Sequence, residues 1–127
     1  MKFKFIASGI TFDTGVNKEE IEYFTFGGCH QLTDVSLPNS LKIIGDMAFV
    51  GCNSLTSITI PHKVVEINVT AFNDCPSLYA IYNNSNIVIA IDDETFPYAK
   101  LIVDKEGNNT YLDEASGFIY IDTTDGF

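Results

Sequence analysis

The sequence predicts a strand-rich α/β solenoid, in which short coils of chain stack on one another and pair their strands in parallel. Two observations lead to this expectation. Apolar residues recur with a fixed period through the middle of the chain, and each repeat contains a short stretch that alternates apolar and polar residues. One short coil cannot bury its apolar side alone, whereas stacked coils share one continuous core.

The period of 23 is carried by several columns of apolar residues. Equivalent positions of stacked coils form ladders along the core, so we expect the side chains of these columns to be buried. The columns are Cys29, Cys52 and Cys75; Phe26, Phe49 and Phe72; Leu32, Leu55 and Leu78; Val35, Ile58 and Ile81; and Ile21, Ile44 and Ile67.

Each repeat divides into three pieces. Residues 55–60 end in an alternating pattern that predicts a strand, and Pro61 stops it because proline cannot donate a hydrogen bond to a ladder. Residues 64–67 indicate a second extended segment. Residues 71–75 indicate a short helical turn that places a phenylalanine in the core. The same phase predicts stacked parallel strands at 32–37, 55–60 and 78–83.

The motif in these repeats is specific. Residues 44–61 and 71–78 resemble the BspA-like leucine-rich repeat, whose pattern reads roughly I-G-x-x-A-F-x-x-C-x-x-L-x-x-I-x-I-P. The resemblance implies a short right-handed superhelix with stacked parallel strands and irregular β caps. Residues 101–120 are similar to the irregular unit that often follows the regular coils, although Asn83 and Asn84 replace the expected apolar residue and proline.

The repeat divides the chain into three segments. Residues 1–20 depart from it and are expected to form an N-terminal β cap or a degenerate repeat, since solenoids need atypical end units. Residues 21–90 hold the BspA-like repeats of period 23. Residues 91–127 are expected to form a C-terminal irregular repeat or cap.

The charge balance excludes some classes of partner. Seventeen acidic residues face seven lysines, and the net charge is −10. A surface that binds nucleic acid needs a cluster of basic residues. The sequence contains no such cluster, so we expect no nucleic-acid partner. No apolar run of about 18 residues occurs, so we expect no membrane insertion.

The cysteines and histidines do not form a reactive pattern. Zinc sites need close cysteine pairs, whereas the spacing of 23 predicts a ladder of free thiols in the core. His30 and His62 fall at different phases of the repeat, and neither has a positioned nucleophile beside it in the sequence, so we expect both on surface loops.

Two acidic stretches are considered as metal sites, and neither has the residue spacing that a metal site needs. A calcium loop that begins at Asp104 would need glycine at its sixth position and glutamate at its twelfth, where Asn109 and Ala115 stand. The adjacent residues 92–94 do not converge on one point in a regular element and are expected to form a solvated turn or helix start. No nucleotide-binding, hydrolase or metalloprotease motif occurs. We therefore predict no catalytic, cofactor-binding or metal residues, and no enzyme.

One surface remains as a candidate partner-binding face. It consists of the outward positions of the predicted strands, which carry short polar side chains and one tyrosine. The tyrosine is its most binding-like member, because aromatic residues are enriched at interfaces. Three strands about 4.8 Å apart give a face of only some 15 to 20 Å. The residues are Asp34, Ser36, Ser57, Thr59, Ala80 and Tyr82.

Two functions fit these features. The resemblance implies a non-catalytic module for protein–protein interaction or adhesion at a surface, similar to repeats of bacterial and protist surface proteins. The alternative is a structural component of a larger assembly, such as a phage virion decoration, which the shortness of the solenoid favours. Self-association or docking on a larger body would enlarge so small a surface. The expected location is the cell surface, the extracellular space or a virion, and no secretory leader is recognisable.

Overall fold

The computed structural model describes residues 3–6, 8–12 and 17–124. Strands, turns and irregular segments make up these residues, and no helix occurs among them. The strands are β1 (Phe3–Ile6), β2 (Gly9–Phe12), β3 (Glu20–Ile21), β4 (Asp34–Ser36), β5 (Ile43–Ile44), β6 (Ser57–Ile60), β7 (Glu66–Ile67), β8 (Ala80–Asn83), β9 (Leu101–Val103), β10 (Asn109–Asp113) and β11 (Phe118–Asp122).

The longer strands form one side of the solenoid. β2 pairs in parallel with β4, and β6, β8 and β9 pair in parallel with one another. β4 and β6 lie side by side where these two groups meet. Ser57 pairs with Ala80, the partner that the repeat period assigns to it. β4, β6 and β8 lie within the predicted ranges, and the predicted parallel pairing is confirmed for β6 and β8, whereas β4 and β6 belong to different sheets.

Two other sides complete each coil. β3, β5 and β7 form a second parallel sheet, in which Ile21 pairs with Ile44 and Ile44 with Ile67, again in step with the period. On the third side, turns are joined between coils by backbone hydrogen bonds. The amide of Phe26 donates to the carbonyl of Ala48 at 2.8 Å, and similar bonds join the later turns. Each coil thus satisfies the backbone groups of its neighbours, as buried polar groups require.

A column of phenylalanine rings runs along the core. The ring centroids of Phe26 and Phe49 lie 5.3 Å apart, those of Phe49 and Phe72 5.2 Å, and those of Phe72 and Phe96 5.0 Å. These separations are within the favourable range for aromatic pairs. All four rings are buried, so the predicted core column is confirmed and extends by one coil.

The structure differs from the expected fold in one detail and adds two others. Residues 71–75 form turns, so the α part of the α/β prediction is not confirmed in the described residues. At the C-terminal side, Phe96 and β9 form a fourth coil inside the segment predicted to be irregular. At the N-terminal side, β1 and β2 form an antiparallel hairpin. The proposed segment boundaries stay predictions.

Asn83 explains how the regular repeat ends. It occupies the position of Ile60 in the preceding coil and is buried. Its side-chain amide donates to the carbonyl of Ile87 at 2.7 Å, and its side-chain oxygen accepts from the amide and hydroxyl of Ser85 at 3.1 and 2.6 Å. A buried amide is tolerated because its hydrogen bonds are made. The apolar ladder is thus replaced by a hydrogen-bonded loop.

Gly45 lies where the backbones of two coils approach closely. Its amide donates to the carbonyl of Ile21 at 2.7 Å, and a Cβ atom at residue 45 would lie 2.7 Å from the same oxygen. The obstacle is backbone held in a sheet, so it cannot move aside cheaply. Glycine is therefore a packing requirement at residue 45, whereas Asn68 makes the equivalent bond to the carbonyl of Ile44 at 2.9 Å in the next coil.

The phenylalanine column gives a first prediction. We expect Phe72→Ala to lower the free energy of unfolding by about 3 to 5 kcal/mol, because it removes a buried ring and leaves a cavity between two neighbours. Chemical denaturation measures the change. Tyr23→Ala, at a ring that is 65% exposed, is the matched control and should cost far less. Equal losses for the two variants would contradict the assigned core.

The contact at Gly45 gives a second prediction. Gly45→Ala should cost about 1 to 3 kcal/mol, because the added methyl group overlaps backbone of the neighbouring coil. Gly27→Ala is the control, since the atoms nearest to a Cβ there belong to the ring of Phe24, which is partly exposed and can turn aside. Thermal melting of both variants tests this ranking, and a Gly45 variant as stable as the control would refute it.

Candidate functional site

The predicted face lies on the outward side of the longer strands, opposite the core. Asp34, Ser36 and Thr59 are exposed, and Ser57 is half-buried. Tyr82 is 41% exposed, whereas Ala80 is only 2% exposed and offers little surface to a partner. Five of the six predicted residues therefore reach solvent in two adjacent rows.

The outward face continues onto three further strands. Residues paired directly across two strands share a face of the sheet, so the register carries the rows from β8 to β11. One row runs through Ala80, Leu101, Tyr111 and Tyr120, and the other from Tyr82 through Val103 to Asn109 and Asp122. From β2 to β11 the outward face spans seven strands, or about 30 Å.

The added strands make the C-terminal part of the outward face aromatic. The rings of Tyr111 and Tyr120 stack, with centroids 5.5 Å apart and planes 26° apart. Both rings remain about two-fifths exposed, as does Tyr82. Paired tyrosines offer a rigid apolar surface with a polar edge, which suits protein contacts.

A groove lies beside the outward face, where the strands end. It has a volume of about 710 Å³ and is lined by polar and apolar side chains. The carboxylate of Asp34 and the side chain of Lys105 contribute opposite charges to its wall. The lining also includes Ser36, Thr59 and His62. The groove is open to solvent, so it extends the face rather than enclosing a small ligand.

Tyr111 and Tyr120 were missed by the sequence interpretation. They lie outside the repeat period and join the face through antiparallel pairing, which the period does not describe. The run of aromatic and β-branched residues at 118–121 and the turn at Ser116-Gly117 are the signals of this hairpin.

The cysteine column is structural. Cys52 donates its thiol to the carbonyl of Phe26 at 3.3 Å, and Cys75 donates to the carbonyl of Phe49 at 3.1 Å. The neighbouring Cys75 thiol and burial raise the pKa of Cys52, and burial raises the pKa of Cys29. Because the thiolate is the nucleophile, Cys29 and Cys52 are poor nucleophiles at neutral pH.

The histidines and the acidic stretches that the sequence singled out lie at the surface and in turns. His30 and His62 are both exposed. The Asp104 carboxylate accepts hydrogen bonds from the amides of Glu106 and Asn108 at 3.0 and 2.9 Å, and Asp93 accepts one from the amide of Thr95 at 2.9 Å. These carboxylates stabilise turns. In the described part of the chain, no group of three or more His, Cys, Asp or Glu residues is placed to hold a metal ion.

The family follows from the repeat. The model for the BspA type leucine-rich repeat region matches residues 6–113 in six copies. The chain belongs to this family. Such repeats are generally non-enzymatic and generally mediate protein–protein interactions. The match extends beyond the segment 21–90 on which the motif was recognised, in agreement with the fourth coil.

Two solved structures are similar to this BspA-type chain. A leucine-rich cell surface protein from Faecalibacterium prausnitzii A2-165 is 29% identical, with a TM-score of 0.59 over 91% of this chain. This chain spans 26% of that protein's length. A leucine-rich repeat protein of T. pallidum is 18% identical, with a TM-score of 0.37, and the match covers 64% of this chain and 67% of that one. No curated protein matches at the significance required. Within the described ranges, no helix is long and apolar enough to cross a membrane.

The burial of the thiols gives a third prediction. At pH 8 we expect iodoacetamide to modify Cys29 in the folded protein well before Cys52 or Cys75, because the latter two are buried and donate hydrogen bonds. Mass spectrometry of peptides measures each rate. In urea the three cysteines should react alike. Rapid modification of Cys52 in the folded protein would show that the column is open to solvent.

Proposed function

We propose that this chain is a non-catalytic binding module that holds a protein partner on the outward face, at a cell surface. The observation that supports this most directly is the exposed stacked pair of Tyr111 and Tyr120, which lies on the same face as Tyr82. Aromatic side chains contribute much of the binding energy at protein interfaces.

The chemistry of the outward face favours a partner with an apolar centre and basic edges. Tyrosines and the aliphatic residues Leu101 and Val103 lie towards one end, whereas small polar residues lie towards the other. Asp34 and Asp122 are acidic members of the rows, and the net charge of the chain is −10. Such a charge attracts basic surfaces and disfavours acidic ones.

Adhesion is the form of this function that the surface setting favours. The Faecalibacterium relative is described as a cell surface protein, and a repeat unit shared with it suits display outside the cell. The alternative is a structural role in a larger assembly such as a virion. The exposed apolar strand β11 favours that alternative, because it offers a second body an edge to cover.

A comparison of three immobilised proteins tests the outward face. One is the wild type, one carries Thr59→Lys, Tyr82→Lys and Tyr111→Lys, and the control carries Tyr98→Lys on a turn outside the face. The probe is a biotin-labelled protein fraction released from the surface of intact cells. We expect a set of proteins to bind the wild type and the control but not the triple variant.

Titration of one purified binder then gives the magnitude. The triple variant should bind at least about tenfold more weakly, since loss of one interface anchor costs about 2 kcal/mol. The control should bind like the wild type. If all proteins captured bind the triple variant equally well, the outward face is not the site. A chain found in purified virus particles rather than at a cell surface would favour the assembly role.

A further inference from the structure

We infer that the chain associates head to tail, with β1 of one copy pairing antiparallel to β11 of the next. The inference does not depend on the proposed function of the outward face. It depends on three features of the two ends of the solenoid: an exposed apolar strand, the directions of the two edge strands, and opposite charges.

The first feature is the exposure of β11. All five of its residues are exposed, including Phe118 at 65% and Ile121 at 67%. The neighbouring strand β10 is only partly exposed on most residues, and its Leu112 packs against the core. An edge strand with unpaired backbone and apolar side chains is a template for another strand.

The second feature is the direction of the edge strands. β11 runs parallel to β9, because both are antiparallel to β10. β1 is antiparallel to β2, which shares the common direction of the parallel strands. When two copies share one axis, β1 of one therefore meets β11 of the other in antiparallel orientation. This is the pairing that each edge strand already makes with its neighbour in the same chain.

The third feature is charge. β1 contains Lys4 and no acidic residue, whereas residues 109–124 contain three acidic residues and no lysine. One of the three, Glu114, already pairs with Lys100 at 2.5 Å. Head-to-tail contact brings the basic end to the acidic end. A symmetric contact between two copies of β11 would instead bring like charges together, which is unfavourable across strands.

The arrangement predicts an open series of copies rather than a closed dimer, because a head-to-tail contact leaves one free edge at each end. A single added strand is a small interface, and the net charge of −10 opposes association. We therefore expect weak association that becomes visible only at high concentration.

Sedimentation velocity of the full chain tests the inference. We expect the mean mass to rise continuously, past that of a dimer, between about 10 μM and about 1 mM, the range of a weak small interface. A mass that stays at the monomer value throughout would overturn the inference. A mass that stops at the dimer value would also overturn it, because that result indicates a symmetric contact.

Charge variants identify the contact. Lys4→Glu and Asp122→Lys should each lower the association constant about three- to tenfold, because each places like charges across the new strand pair. Asp122→Lys makes the net charge less negative, so a weaker association cannot be explained by overall repulsion. Lys63→Glu, at an exposed residue distant from both edge strands, has the same charge change as Lys4→Glu and should leave association nearly unchanged.

A mixture of the two variants provides a further check. Equal amounts of Lys4→Glu and Asp122→Lys should associate more strongly than either alone, because some mixed contacts join two unaltered edges. Circular dichroism must first show that each variant has the wild-type spectrum and melting curve. If Lys4→Glu associates like the wild type, or the mixture gains nothing over its components, β1 does not pair with β11.

Discussion

Stacking of one coil on the next is the constraint on which the structure depends. A single coil has too little apolar surface to fold alone, and its backbone groups are satisfied by the neighbouring coil. Coil-to-coil stacking is seen in two kinds of contact. These are the column of rings from Phe26 to Phe96 and the backbone hydrogen bonds between turns. Gly45 is needed for it too, because any side chain there would separate two coils.

This constraint explains which parts of the fold could be predicted. Where stacking is regular, a fixed shift identifies the buried columns, and β6 and β8 follow from the columns. The fixed shift fails in the fourth coil. It would continue the phenylalanine column at Thr95 and the strand column at Asp104, whereas Phe96 and Ile102 fill these places in the core. The loop that begins at Asn83 lies before Phe96 and accommodates the longer spacing there, whereas the segment from Phe96 to Ile102 is shorter than its equivalent in the preceding coil.

The sequence predicted the part of the candidate site that lies on the regular repeats, and it did not predict the part that lies beyond them. Alternation within the strands identified outward positions such as Thr59 and Tyr82, and these are exposed. The burial of Ala80 could not be read from the alternation, because it depends on neighbours from other parts of the chain. The pairing of Tyr111 with Tyr120 depends on an antiparallel register, for which a repeat period gives no information.

The ends and the outward face are linked, because the two sheets that carry the outward face end in β1 and in β11. A face of about 30 Å limits how many contacts one copy can make with a partner. Pairing between β1 and β11 would continue the sheet from copy to copy, so the tyrosine-bearing rows would recur along one axis. A partner with several binding sites would then be held by several weak contacts at once, which raises avidity without any new contact chemistry. In this arrangement association repeats the outward face along the solenoid axis, as stacked repeats do within one chain.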